Sequence, residues 1–295
     1  MKSSSTRRSF LSQSAATLAG ASMACAAGDP PKKATSGPSL KGRIFKALKG
    51  SKRQKGESLE AFFARLQAIG FDGLESGRAG EAAAYRAASA KTGFRIHGLV
   101  NGGHWGVRLS DPNPAVREKG RANLERALMN AHVLGGSSVL LVPGKVNGDK
   151  ETHEHVWERS IEQVRKVLPL ASRIGVRVLI ETVWNGFCES PEKFRDYIDD
   201  FNSPWVGAYF DIGNMQKFAP AHEWIRVLGN RTVKLDVKDW GKKNGFCRLG
   251  EGDVDWDKVR SELKAIDFSG WATREGSDGS IEDTSKLIDE LLIGV

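Results

Sequence analysis

An eightfold alternation constrains this chain more than any other feature: from residue 40 to the C-terminus, short apolar runs rich in β-branched residues are separated by longer amphipathic stretches. The runs at 43–48, 71–76, 95–100, 138–143, 176–182, 206–212, 232–238 and 270–275 predict strands, being short, apolar and bounded by turn residues. Between them, stretches such as 59–69, 115–134, 158–174, 191–201, 222–228, 256–266 and 280–292 space their apolar residues as helices do. Eight β/α units in roughly 250 residues predict an α/β fold, a (β/α)8 TIM barrel forming a single domain over residues 40–295. An open doubly wound sheet is the runner-up, disfavoured because no Gly-x-Gly-x-x-Gly follows the first run.

The N-terminal segment stands apart. Thr6-Arg7-Arg8-Ser9-Phe10-Leu11 precedes a small, weakly apolar stretch without acids, the pattern of a twin-arginine export signal. Residues 1–28 are therefore expected to be a signal peptide directing the chain to the periplasm, and 29–39, rich in Pro, Gly, Lys and Ser, a linker. Cys25 lacks the preceding Leu of a lipoprotein box. The 44 basic and 36 acidic side chains give a net charge of +8, and loss of Lys2, Arg7 and Arg8 with the signal lowers it to +5. The remaining basic residues are scattered among acids and not interleaved with aromatics, so no nucleic-acid partner is expected. No apolar run reaches the ~18 residues of a membrane span. Cys188 and Cys247, the cysteines of the mature chain, are read as buried thiols rather than a disulfide.

In such a barrel, function sits at the carboxyl ends of the strands. The fifth run ends in Glu181, the sixth in Asp211, the seventh contains Asp236 and is followed by Asp239, and the eighth closes with Glu275. Carboxylates gathered at one mouth raise one another's pKa, a cost that a hard divalent cation removes.

Three motifs carry a resemblance. Leu179-Ile180-Glu181-Thr182-Val183-Trp184-Asn185, Ala208-Tyr209-Phe210-Asp211-Ile212-Gly213-Asn214 and Leu249-Gly250-Glu251-Gly252-Asp253-Val254-Asp255-Trp256, with the terminal Gly270-Trp271 run ending in Glu275, resemble the sugar isomerase and epimerase family with a xylose-isomerase-like barrel. The resemblance implies metal ligands at Glu181, Asp211, Asp236 and Glu275, with Glu181 and Glu275 also the catalytic proton carriers. Members of that family usually read His-x-Lys-Asp in the seventh strand, whereas this chain reads Asp236-Val237-Lys238-Asp239. An all-oxygen donor set favours Mn²⁺ or Mg²⁺ over zinc. Some epimerases of the family carry a substrate-binding His where this chain has Asn214.

Other polar and aromatic residues are candidates for substrate contact. His97 ends the third run, and His104 and Trp105 follow in a Gly-rich loop, placing an imidazole donor and a stacking wall over the mouth. Lys46 and Glu75 lie near the ends of the first and second runs; Trp184, Asn185, Asn214, Lys238 and Trp240 lie beside the proposed ligands. Arg248 and Lys242 are the candidates for contact with a substrate anion, yet no Gly-rich phosphate cradle accompanies them. His153 and His155, spaced i, i+2, are read as a surface loop rather than a metal clip.

The predicted activity is divalent-metal-dependent isomerisation or epimerisation, through an enediolate, of a small non-phosphorylated sugar. Two alternatives stand: lysis or hydrolysis of a 3-keto-glycoside on the same barrel, and sugar binding without chemistry. A multi-zinc nuclease of the same barrel superfamily is disfavoured, since the late strand ends carry carboxylates rather than histidines. Whether the chain forms a homo-oligomer is left open.

Overall fold

The computed structural model describes residues 37–50, 52–76, 82–276 and 278–295. The expected signal peptide and most of the linker lie outside the described residues.

Eight parallel strands close into a barrel: β1 (Ile44–Lys49), β2 (Gly73–Ser76), β3 (Arg95–Val100), β4 (Ser138–Leu141), β5 (Arg177–Glu181), β6 (Val206–Asp211), β7 (Thr232–Val237) and, after a small hairpin, β10 (Gly270–Arg274). Each strand pairs with its sequence neighbours, and β10 closes the ring against β1, with Phe45 opposite Trp271 and Ala47 opposite Thr273. Seven strands fall within their predicted runs. The exception is β1, which continues one residue beyond its run, to Lys49. The hairpin joins β8 (Asp239–Gly241) to β9 (Gly245–Cys247) in a two-stranded antiparallel ladder at the mouth.

Helices α1 (Leu59–Ile69), α2 (Ala82–Thr92), α3 (Pro114–Leu134), α4 (His153–Ile174), α5 (Pro191–Asp200), the one-turn α6 (Ile212–Gln216), α7 (Ala221–Leu228), α8 (Trp256–Ala265) and α9 (Ile281–Ile288) cover the barrel. Their starts are legible in local chemistry. Ser58, Asn113, Thr152, Ser190 and Ser280 each cap a first turn by accepting a backbone N–H. Helix α2 was not singled out in the sequence: its short Ala-rich turns bury Tyr85 and Ala88 but give no strong apolar stripe.

The main core lies between sheet and helices, where outward strand residues such as Leu48, Leu74, Ile96, Val139 and Val178 meet Phe62, Phe63, Leu128, Val164 and Trp224. The lumen holds a much smaller apolar cluster, Leu140, Leu179 and Tyr209. The rest of that interior is polar. Lys234 Nζ lies 2.8 Å from His97 Nδ1, His97 Nε2 lies 3.1 Å from Thr273 Oγ1, and that hydroxyl is 2.7 Å from Tyr209 OH, which donates to Glu75 Oε2 at 3.2 Å. This buried chain runs along the barrel axis toward the mouth, its members bonding to one another while Glu75 Oε1 is left without a hydrogen-bond partner.

Candidate metal centre and active site

Glu181, Asp211, Asp236 and Glu275 stand at the carboxyl ends of β5, β6, β7 and β10. Each brings a carboxylate oxygen within 4.8 Å of the others, forming a ring in which the first three are buried. Asp211 is held from two sides. Its backbone N–H donates to Thr182 Oγ1 at 2.9 Å, and its Oδ1 caps α6 by accepting the Asn214 N–H at 2.8 Å, which turns Oδ2 toward Lys238 Nζ at 2.9 Å. The approach of α6 to the end of β7 requires Gly213, because a Cβ there would meet Lys238 Cβ at 2.5 Å.

Two ammonium groups enter the ring. Lys238 Nζ bridges Asp211 Oδ2 and Glu275 Oε2, the latter at 3.1 Å. Lys49, from the last position of β1, pairs with Asp236 Oδ2, lies 2.9 Å from Glu275 Oε2, and has Glu75 Oε2 and Glu181 Oε1 each at 3.9 Å. Sequence reasoning missed Lys49. Its signal was the period-2 alternation of β1, in which Ala47 and Lys49 face the lumen while Lys46 and Leu48 face the helices.

The electrostatics follow from this arrangement. Burial pushes the Glu181 carboxyl up to about 7, with Asp211 and Glu275 adding to the rise against the pull of Lys49. Burial also raises Asp211 and Asp236. Glu275 goes the other way: burial opposes its ionisation, but Lys49 and Lys238 together hold it down at about 2. Burial would depress Lys49, yet the carboxylates of Asp236, Glu181, Glu75 and Glu275 hold it above its ordinary value.

The donor set fits a hard divalent cation. Four oxygens from four strands converge, and Asp236 Oδ1 is buried without a hydrogen-bond partner. Counting Glu75, five carboxyl groups meet two ammonium groups; burial disfavours ionising Glu75, Glu181, Asp211 and Asp236, a cost that a cation relieves.

Above the ring is a cavity of about 540 Å³. His104, Trp105, Trp184, Asn214 and Lys238 line it as expected, with Phe246 of the hairpin, Val183, Gly102 and Gly103. Trp184 and Phe246 stack at 4.8 Å, and the Trp184 indole N–H donates to the Asn214 carbonyl at 2.6 Å. His104 Nδ1 accepts the Val142 N–H at 3.2 Å, and burial lowers its pKa to about 4, leaving a neutral imidazole at the wall. Trp240 packs edge-on against Trp184 at 6.2 Å.

Several expectations are corrected. Lys46 points outward between sheet and α9, with Nζ 2.7 Å from both Ser285 Oγ and Asp289 Oδ1. His97 does lie in the lumen, but on the deeper layer, stacked at 4.5 Å on Trp271 and lining a cavity at the opposite end of the barrel. Glu75 sits beneath the mouth, bonded to Tyr209 and outside the cavity lining. Asn185 shapes a turn, its amide donating to the Gly144 carbonyl and its oxygen accepting the Phe187 N–H. Arg248 does not line the cavity. Asp239 turns from the ring to anchor the hairpin, accepting N–H groups from Gly250 at 2.8 Å and the Trp256 indole at 3.2 Å. His153 and His155 open helix α4 rather than lying in a loop, His155 completing its capping box, and Cys247 is only half-buried.

Comparison with known proteins agrees with this architecture. L-ribulose-5-phosphate 3-epimerase UlaE of Escherichia coli O1:K1 is 26% identical over 187 residues, 62% of this chain; the match spans 65% of that relative's length. Among solved structures, the apo form of 3-keto-D-glucoside 4-epimerase YcjR from E. coli superposes with a TM-score of 0.68 at 17% identity, covering 84% of this chain and 97% of that one. D-allulose 3-epimerase from Methylomonas sp. in complex with D-allulose gives 0.65 at 19% identity, covering 88% and 96%. The xylose isomerase-like TIM barrel family matches residues 63–292, from within α1 to beyond α9, and with the closed eight-stranded barrel this establishes that the chain belongs to the xylose isomerase-like TIM barrel family.

Proposed function

We propose that the chain is a divalent-cation-dependent epimerase of a non-phosphorylated keto-sugar, with Mn²⁺ or Mg²⁺ held by Glu181, Asp211, Asp236 and Glu275. The observation that carries this reading is the convergence of four carboxylates from four adjacent strands at the floor of the cavity; in the metal-free protein the acidities of two of them are pushed apart, Glu181 up to about 7 and Glu275 held at about 2. Groups whose surroundings push their acidities apart are suited to act as an acid and base pair. A bound cation supplies positive charge against the negative charge that develops on the sugar's carbonyl oxygen.

The chain's own residues supply the proton transfers. Glu275, ionised at neutral pH, takes the proton from the carbon beside the carbonyl. Glu181 returns a proton to the opposite face of that carbon, inverting it; turnover leaves Glu275 protonated and Glu181 ionised, so the reverse reaction runs with their roles exchanged. Trp184 and Phe246 offer a stacked aromatic wall to the apolar face of a sugar ring. Lys238 in the cavity lining is engaged by Asp211 and Glu275, which leaves it less available to a phosphate ester and favours a neutral sugar.

The relatives named above are epimerases, which favours inversion over the lyase and hydrolase readings. Sugar binding without chemistry gives no use to two glutamates of opposed acidity. The test is incubation of purified protein and Mn²⁺ with free and 3-keto sugars in D₂O, followed by NMR. The expected result is an epimer carrying solvent deuterium at the inverted carbon. A panel that yields neither epimer nor exchange overturns the proposal.

A further inference from the structure

We infer that Lys49 is a resident cation of the carboxylate ring, one that a divalent metal must displace, so that metal uptake at this site is an exchange of ammonium for metal. The inference rests on the proposed metal site and concerns what fills it beforehand.

The geometry carries it. Lys49 Nζ pairs with Asp236 and lies 2.9 Å from Glu275 Oε2, so it stands between two of the four converging donors. Glu181 Oε1 and Glu75 Oε2, each at 3.9 Å, surround it further. A dication bound to the same Asp236 and Glu275 oxygens would approach the ammonium to within a few ångströms, where like charges in a poorly hydrated site repel strongly. The two cations exclude each other from that position.

The ammonium also has somewhere to go. Lys49 lines the open cavity, and its side chain keeps 14% of its surface exposed. Its long stem starts at the rim of β1, so a rotation carries the charge from the ring into the mouth without moving the strand. Lys238 meets the same Glu275 oxygen and Asp211 Oδ2, whereas the ion pair to Asp236 is made by Lys49, so it is Lys49 that occupies the Asp236 side of the ring. Asp236 Oδ1, buried and without a hydrogen bond, shows that the ammonium satisfies the ring only in part and that donor capacity remains for a metal.

The experiment uses the full mature chain and Mn²⁺ alone as the probe, at one fixed pH. Titration calorimetry compares wild type with Lys49→Met, which keeps the apolar stem and removes the charge. The expected result is Mn²⁺ binding at least about tenfold tighter in the variant. Thermal unfolding should show the variant melting below wild type in EDTA and approaching it in excess Mn²⁺. A variant that folds only with Mn²⁺ supports the exchange equally.

Equal or weaker Mn²⁺ binding by Lys49→Met overturns the inference, as does an absence of Mn²⁺ binding to both proteins. Should Lys49→Met not fold, Lys49→Gln is the second variant. Failure of both to fold even in Mn²⁺ overturns the inference too, because the metal then does not take over the ammonium's place. The epimerase reading is judged separately, by deuterium exchange with wild-type protein, so either can fail alone.

Discussion

Glu181 and Glu275 bring carboxylate oxygens within 4.8 Å of each other from strands separated in the barrel by β6 and β7. Their acidities are nevertheless split, because Lys49 and Lys238 both approach Glu275 closely, at 2.9 and 3.1 Å, whereas Glu181 has Lys49 only at 3.9 Å. Glu→Gln at either position keeps shape and an oxygen ligand while removing the proton carrier. Turnover on an accepted sugar should fall at least ~100-fold in each variant, the lower scale for a lost acid or base. Metal content measured alongside must stay near wild type, and near-normal turnover in either variant excludes that residue from proton transfer.

The raised pKa of Glu181 makes the metal-free protein pH-sensitive. Folded, the carboxyl holds its proton up to about 7; unfolded, it releases it near 4.5. The folded state therefore binds more protons between these values, and stability falls as pH rises through that window. In EDTA, the melting temperature of wild type should drop from pH 5 to pH 7.5, and that of Glu181→Gln should drop less. Parallel pH profiles for the two proteins would show that Glu181 does not carry this dependence.

Asp236→His replaces a hard oxygen with an imidazole that suits borderline metals. Competition between Zn²⁺ and Mn²⁺ should shift toward zinc by at least about tenfold relative to wild type. Unchanged selectivity together with unchanged affinity removes Asp236 from the coordination shell.

Trp184→Ala takes away the indole that stacks on Phe246 and bonds the Asn214 carbonyl. Loss of this wall should raise KM for the sugar by about tenfold, the scale of an aromatic contact, with kcat much less affected. Steady-state kinetics that show the loss in kcat instead place Trp184 in the chemistry.

Export through the twin-arginine route predicts that Arg7→Lys with Arg8→Lys leaves the precursor unprocessed in the cytoplasm. Cell fractionation and the mass of the purified chain report the outcome. A periplasmic, processed double variant at wild-type level refutes the route.

The barrel was legible in sequence because each strand is an isolated apolar run, and the carboxylate ring because its members end successive runs, where backbone direction alone sends them to one mouth. What escaped was the face on which a residue lies. Lys46 and Lys49 are three apart in one strand, so they point to opposite sides, and an early end to the first run favoured the wrong lysine. His97 faces the right way but at the wrong depth: barrel interiors fill in layers, and it occupies the one far from the mouth. Asn185 was absorbed by turn chemistry, and Asp239 by a hairpin whose antiparallel ladder is a local departure from the β/α repeat.

That hairpin separates two kinds of change in the history of such a protein. Asp239 fixes its root with bonds from Gly250 and Trp256, and β8 and β9 close on each other, so the turn beyond Gly241 and Gly245 is held by the hairpin's own bonds, while Phe246, opposite Trp240 in the ladder, faces Trp184 and Lys238 over the ring. Residues at the turn are free to diversify and so to retune what the cavity admits, while the carboxylates of the ring stay constrained by the strands that hold them. Inheritance of the chemistry and drift of the substrate are thereby assigned to different pieces of chain.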